Sequence, residues 1–277
     1  MNAFSVYFKK VMAGKALMSA CIVAVLCFFS HEPSFTAEPS TLLELTIDKI
    51  KVGSTVYSYQ DVIGWFDNSM WFYVILPVIL SLPAVSDLSA EWFSGGYYFN
   101  IHRQSVFGYA AAKSLAYSLC SVICFLAGVM VFIVSALLVF PSADAETISL
   151  LYPDGFWLHI LSRLLNSAAL AATYPLVCTL AVILIKEKFF SLSIPMLINY
   201  MTSLISSNLL ILTYRHEEPF YEKLAMLTPF MQSRQYGSFE RVYGLPIFVW
   251  YLAWAVFLAL LVTAFYFLVK RRSKTDA

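Results

Sequence analysis

Six stretches of the chain are long and apolar enough to cross a lipid bilayer, and they constrain the fold more than any other feature. A spanning helix needs about 20 mostly apolar residues, because lipid offers the backbone no other hydrogen-bond partners. The 277-residue chain is 60% hydrophobic and 13% charged, and soluble domains are about 25% charged. We therefore predict an all-α, polytopic membrane protein with one transmembrane domain over residues 1–277. The predicted spans cover residues 11–29, 69–85, 114–140, 165–185, 189–213 and 247–269.

The Lys and Arg residues around these spans predict that both termini face the cytoplasm. With that orientation the inner side has eleven of them and the outer loops have six, and positive charge favours the cytoplasmic side. We expect the first span to be an uncleaved anchor, because no small-x-small cleavage site follows it. The basic segment 4–15 is expected to lie along the inner interface as an amphipathic helix, with its lysines among the headgroups and its apolar side chains facing the acyl chains.

The sequence contains no strong catalytic or metal motif. All five cysteines lie in apolar stretches, as small buried hydrophobic residues do. Neither HExxH nor GxSxG occurs. An enzyme embedded in the membrane and acting on lipid or peptide stays open as an alternative, and its candidate residues are His159, His216, Glu217 and Glu218. A net charge of +1 gives no argument for nucleic acid as a partner.

Polar residues inside the fifth predicted span fall on one helix face. Asn199, Ser203 and Ser206 are three or four residues apart. Such a face can line a transport pathway or form hydrogen bonds between helices, and the sequence leaves both open. No charged residue lies in the middle of a predicted span, which argues against an ion-coupled carrier.

The segment 86–113, "SDLSAEWFSGGYYFNIHRQSVFGYAAAK", is predicted to be the only sizeable cytoplasmic loop. Gly95 and Gly96 favour a tight bend or a helix stop. Aromatic side chains here suit either a protein interface or the aromatic belt of the membrane. Because no GxxxxGK[ST] motif occurs, any ATP used must be bound by another chain. The large aromatic side chains in the turn are Trp92, Phe93 and Tyr97.

In this organisation the chain resembles the membrane subunit of ATP-binding-cassette transporters of the type 2 permease family. The likeness covers the order of the spans and is most specific in the loop, which has an acidic residue, a small-residue turn, an apolar run, an Arg, a Tyr and a Lys. His102, Gln104 and Ser105 depart from the family's pattern. The matching residues are Glu91, Ser94, Gly95, Gly96, Arg103, Tyr109 and Lys113.

The resemblance implies an exporter permease in a bacterial plasma membrane. Two copies of the chain would work with two cytosolic ATPase subunits, which bind ATP and magnesium, so this chain needs no cofactor. The loop would form a coupling helix that docks on the ATPase. Residues 217–237 would form re-entrant helices on the outer side, and an ordinary amphipathic surface helix stays open as the alternative. The residues implied in coupling are Glu91, Trp92, Phe93, Gly95, Gly96, Tyr97 and Arg103.

Overall fold

Every regular element in the described part of the chain is a helix, which confirms the predicted all-α fold. The computed structural model describes residues 3–13, 15–33, 40–53, 57–153, 155–216, 219–227, 243–244 and 246–275. In chain order the helices are α1 (Ala3–Ala13), α2 (Ala16–Phe28), α3 (Leu42–Val52), α4 (Tyr59–Gly64), α5 (Met70–Phe93), α6 (Gly96–Arg103), α7 (Val106–Val139), α8 (Ala145–Leu151), α9 (Phe156–Ile185), α10 (Lys188–His216), α11 (Pro219–Met226) and α12 (Ile247–Thr275).

Five of these helices, α5, α7, α9, α10 and α12, are long and apolar enough to cross a membrane. Helices α1 and α2 meet at an angle of 57°, and they add a sixth span if the bent pair counts as one. This is the architecture of a multi-pass membrane protein with five or six spans. The predicted first span, 11–29, runs across the bend. The assignment of inner and outer sides stays a prediction.

The segment 86–113, predicted to be a cytoplasmic loop, is mostly helical. Helix α5 continues to Phe93 and α7 begins at Val106, so both spanning helices extend into the segment. What remains between them is α6 with a two-residue connection on each side. The connection before α6 is residues 94–95 and the one after it is residues 104–105.

Helix α1 forms as a separate amphipathic helix, but part of the face expected to meet acyl chains packs against protein. Tyr7 and Val11 are buried, and the Tyr7 ring meets the Tyr109 ring of α7 edge to face, with centroids 6.0 Å apart. Lys10 forms an ion pair with Asp87 of α5 at 2.6 Å. Helix α1 is therefore attached to the bundle through both apolar and charged contacts.

Of the four prolines inside the spanning helices, Pro195 of α10 being the fourth, three are each matched by a polar side chain of a neighbouring helix. Pro77 and Pro83 lie in α5 and Pro175 lies in α9. A proline has no N–H, so it leaves the carbonyl four residues earlier without its helical donor, and lipid supplies no substitute. The donors and carbonyls are Asn199 of α10 with Tyr73, Ser19 of α2 with Ile79 at 2.9 Å, and Ser121 of α7 with Ala171 at 2.7 Å.

Helix α2 crosses α7 at Gly128, where the two backbones come into close contact. A Cβ atom at Gly128 would lie 2.6 Å from the Ala20 carbonyl oxygen and 2.6 Å from the Val23 Cβ. Small residues permit this kind of close helix packing in membranes. The contact fixes the position of the bent N-terminal pair on the longest helix of the bundle.

Short helices cover the end of the bundle opposite α6. Both α3 and α4 begin with a capping box, in which a hydroxyl and a carboxylate satisfy each other's backbone N–H groups. The hydrogen bond from the Thr41 N–H lowers the pKa of the Glu44 carboxyl below its ordinary value. The Tyr59 N–H donates to the Pro141 carbonyl at 2.9 Å, which joins α4 to the segment after α7. The capping residues are Thr41 with Glu44 and Ser58 with Asp61.

Candidate functional site

Helix α6 is an eight-residue helix held between two spanning helices. Its entrance requires a left-handed backbone at Gly95, with φ of 74°, a conformation that glycine adopts without steric penalty. Its exit is fixed by Ser105, whose side chain accepts from the Gly108 N–H at 3.0 Å and caps α7. Short connections at both ends limit how far α6 can move without α5 and α7.

The predicted coupling residues divide into buried and exposed groups. Trp92 and Tyr97 are buried and stack on each other, with ring centroids 4.3 Å apart, so they close the turn from inside. Phe93 and Arg103 are exposed, and so is Phe99 of α6, with 73% of its surface accessible. The surface that a partner could meet is therefore formed by Phe93, Phe99 and Arg103. Their role in coupling stays a prediction.

Glu91 points away from that surface, into the protein. One carboxylate oxygen accepts from the Asn100 amide of α6 at 2.8 Å and from the Tyr109 hydroxyl of α7 at 2.9 Å. The other oxygen accepts from Lys113 of α7. The carboxylate thus joins the end of α5 to both α6 and α7.

Lys113 is fully buried, and its three ammonium protons have three acceptors. Besides Glu91, its Nζ donates to Asp87 at 2.9 Å and to the Tyr117 hydroxyl at 3.1 Å. The rings of Tyr7, Tyr109 and Tyr117 surround it, with centroids 5.1 to 5.5 Å from Nζ. Aromatic faces attract a cation and exclude water from it. The ammonium group therefore has a full set of partners without solvent.

We call Lys10, Asp87, Glu91 and Lys113 the α6-end cluster. Lys10 completes it from α1 by pairing with the second oxygen of Asp87. Two positive and two negative charges leave the cluster neutral, which lowers the cost of burying Asp87, Glu91 and Lys113. The Lys10 side chain itself is 57% exposed. Sequence reasoning identified Glu91 and Lys113 through the family likeness but missed their pairing with Asp87 and Lys10.

A second buried ion pair lies at the opposite end of the bundle. Arg163 of α9 forms a salt bridge with Asp67, which precedes α5. Its guanidinium also donates to the Gly64 carbonyl at 2.6 Å and lies 5.1 Å from the centre of the Phe66 ring. The Tyr73 hydroxyl donates to the other oxygen of Asp67. This arrangement, the α4-end pair, fastens α9 to the turn between α4 and α5.

The two sets of charges lie about one membrane thickness apart. Seventeen residues separate Met70, the first residue of α5, from Asp87, which is about 26 Å along a helix axis. The hydrocarbon core of a bilayer is about 30 Å thick. No charged residue occurs between Asp67 and Asp87. The separation is therefore close to the thickness of the hydrocarbon core, and the section of α5 between the two sets of charges is uncharged.

The polar row predicted on the fifth span makes hydrogen bonds within and between helices. Asn199 is buried and donates to the Tyr73 carbonyl of α5. Ser206 is buried and donates to the Thr202 carbonyl of its own helix at 2.6 Å, and Ser203 is half-buried. Asn199 thus forms the contact between helices that was one of the two alternatives, and the pathway role of the row stays a prediction.

Of the four residues of the enzyme alternative, the structure describes the side chain of His159 alone. His159 lies in α9, half-buried, with its ring centroid 5.2 Å from that of Tyr152. His216 is the last residue of α10, and Glu217 and Glu218 lie outside the described residues. Among the residues the structure describes, no group of three or more His, Cys, Asp or Glu side chains could hold a metal ion.

Comparisons of the chain with family models, with curated proteins and with solved structures found no match.

Proposed function

We propose that this chain is the membrane-spanning permease subunit of an ATP-driven exporter. The observation that carries the proposal is α6, a short helix between two spanning helices that presents exposed aromatic and cationic side chains. Beneath that surface, α6 is held by the buried α6-end cluster. A docking helix of this kind needs an exposed contact surface and a firm attachment to the helices that it moves.

In the proposed mechanism, the work of ATP hydrolysis enters through α6. A cytosolic ATPase subunit, which binds the ATP and magnesium, contacts Phe93, Phe99 and Arg103. Because only two residues connect α6 to each neighbouring helix, a push on α6 is passed to the ends of α5 and α7. Those helices then open a path for the substrate.

A second copy of the chain would complete the path, in the plasma membrane of a bacterium. Helices α10 and α12 support this part of the proposal, because little of their apolar surface is covered within one chain. In the most apolar 18 residues of each helix, only 11% and 17% of the residues are buried. Faces left open in this way contact lipid, another copy, or both.

Affinity purification of the tagged full-length chain from its own cells tests the proposal. We expect an ATPase subunit to copurify, and Phe99→Glu, which places a carboxylate on the proposed contact surface, to abolish its recovery. Leu150→Glu is the matched control, because Leu150 of α8 is 75% exposed at the opposite end. Recovery of no ATPase with the unaltered chain, or undiminished recovery with Phe99→Glu, would contradict the proposal.

The buried carboxylates favour one second candidate, an ion-coupled carrier. Asp87 and Glu91 are buried carboxylates in the last two turns of a spanning helix, and buried ionisable groups in such helices often mark proton or ion pathways. A carrier of this class would transport substrate in vesicles that contain this chain alone and have an imposed proton gradient. The exporter proposal predicts that such vesicles are inactive until the ATPase and ATP are added.

A further inference from the structure

We propose that Glu91 is a positioning residue, which holds α6 so that α1, α6 and the adjoining ends of α5 and α7 move as one body. This inference deepens the proposed function and rests on it for the consequence in transport. The positioning role itself is argued from the described residues alone, and it rests on the hydrogen bonds of the α6-end cluster.

The first step is the reach of the Glu91 carboxylate. Its two oxygens accept hydrogen bonds from Asn100, Tyr109 and Lys113, so one side chain of α5 contacts α6 and α7 together. The side chain of Glu91 is only 5% exposed. A buried, charge-assisted hydrogen bond is stronger and more restrictive than a bond between neutral groups in water.

The second step extends the same body to α1. Lys113 binds Asp87, one helical turn before Glu91, and the other oxygen of Asp87 binds Lys10 of α1. Gln104, just after α6, donates to the Tyr7 hydroxyl of α1 at 3.2 Å. Helix α1 is thus connected to α6 both through the charges and directly.

The third step is that other polar contacts of α6 leave room for movement. Tyr98 donates to the Ser273 carbonyl of α12 at 3.5 Å, the limit of a hydrogen bond. The stack of Trp92 on Tyr97 fixes the first turn of α6 but not the second. Asn100 lies in the second turn, where Ile101 also packs against the core, and its bond to Glu91 is the directional, charge-assisted contact of that turn.

Distances between spin labels test the positioning role in the full-length chain in lipid nanodiscs. One label is attached at Lys9→Cys on α1 and the other at Phe99→Cys on α6, both exposed positions, after replacement of the exposed Cys21 by serine. We expect one narrow distance distribution with native Glu91. Glu91→Gln should broaden it roughly twofold, since the amide cannot replace the charge-assisted bonds.

A second variant keeps the inference testable if Glu91→Gln fails to fold. Asn100→Ala removes only the amide of α6 and leaves every buried charge paired, and it should broaden the distribution in the same way. The double variant Glu91→Gln with Asn100→Ala should broaden the distribution little more than either single variant, because both substitutions remove the same contact. Glu146→Gln, an exposed carboxylate of α8, is the matched control. An unchanged distribution in folded Asn100→Ala would overturn the inference.

The transport measurement separates this inference from the proposed function. With the copurified ATPase, Asn100→Ala should reduce transport roughly tenfold, the order expected for one charge-assisted hydrogen bond, while ATP hydrolysis continues. A broadened distribution without any ATPase partner would sink the proposed function and leave the positioning role standing. ATP-driven transport together with an unchanged distance distribution in Asn100→Ala would support the proposed function and overturn the positioning role.

Discussion

Lys113 and Arg163 are both buried cations paired with carboxylates, but they join different parts of the molecule. The α6-end cluster contains two lysines and two carboxylates and connects α1, α5, α6 and α7. The α4-end pair contains one arginine and one carboxylate and connects α9 to the turn before α5. The α6-end cluster is thus a branched network of side chains that joins several helices, whereas the α4-end pair attaches one helix to a loop.

The chemistry of the two cations suits these tasks. A planar guanidinium donates in fixed directions, so Arg163 binds a carboxylate and the Gly64 carbonyl together. An ammonium group on a flexible stem is a point charge with three donors, so Lys113 can bind acceptors from two turns of α5 and from its own helix. Charge buried at a helix end can therefore join several helices or attach one helix to a loop, depending on what the cation contacts.

Lys113→Met should have the largest effect, because it leaves two carboxylates buried without their shared cation. We expect a loss of about 3–5 kcal/mol in the free energy of unfolding, measured by titration with a denaturing detergent in micelles. Lys9→Met, an exposed lysine on α1, is the control and should change little. A chain that also has Asp87→Asn and Glu91→Gln should recover much of the loss. Equal stability of Lys113→Met and the native chain would show that the α6-end cluster is not a linked network.

Arg163→Lys should have the next largest effect, and it keeps the charge. A lysine can pair with Asp67 but cannot reproduce the fork that also reaches the Gly64 carbonyl, so about 2 kcal/mol should be lost. The same unfolding titration measures it. Arg215→Lys, at an exposed position near the end of α10, is the matched control. If Arg163→Lys and Arg215→Lys lower the free energy of unfolding equally, charge alone holds the α4-end pair. The guanidinium geometry would then not distinguish Arg163 from Lys113.

Gly95→Ala should cost about 1–2 kcal/mol, because a side chain is strained in the left-handed backbone there. Gly96→Ala is the control, since its Cβ would meet nothing closer than the Ser94 hydroxyl at 3.4 Å. Unfolding titrations of both, with the label distances described above, should show a displaced α6 only for Gly95→Ala. Equal effects at the two glycines would mean that the α6-end cluster alone sets the position of α6.

Asn199→Ala should have the smallest effect, roughly 0.6 kcal/mol, the average for a hydrogen bond between membrane helices. It removes the donor to the carbonyl of Tyr73, whose hydroxyl binds Asp67, and so tests how far the α4-end pair depends on α10. Asn208→Ala is the control, because that exposed amide bonds to its own helix. A double variant with Arg163→Lys should lose more than the two single losses together if Tyr73 couples the sites.

Hydropathy predicted the helical fold and located the apolar part of each span, because the cost of unpaired backbone in lipid leaves few alternatives. It failed at the ends of α5 and α7, where Asp87, Glu91 and Lys113 resembled loop residues. Those side chains are compatible with buried helix only because they neutralise one another. Partners 22 and 26 residues apart in sequence cannot be matched by spacing alone.

The spacing of residues in α5 and α7 contains one signal for the α6-end cluster. Asp87 and Glu91 are four residues apart, as are Tyr109, Lys113 and Tyr117, so each set lies on one helix face. Two acids on one face and a lysine between two tyrosines on another indicate a buried contact. Which aromatic side chains of the turn are exposed cannot be deduced from spacing, since that depends on the direction of α6.

The proline pairs have a consequence for the order in which the chain is made. Ser19 is already synthesised when α5 enters the membrane, so the Ile79 carbonyl that Pro83 leaves open can be satisfied at once. The donor to Tyr73 is Asn199, which follows 126 residues later. Until the ribosome has produced α10, that carbonyl must find a temporary partner. Helix α5 therefore inserts with the Ile79 carbonyl already able to pair, whereas the Tyr73 carbonyl gains its donor only after α10 has been translated.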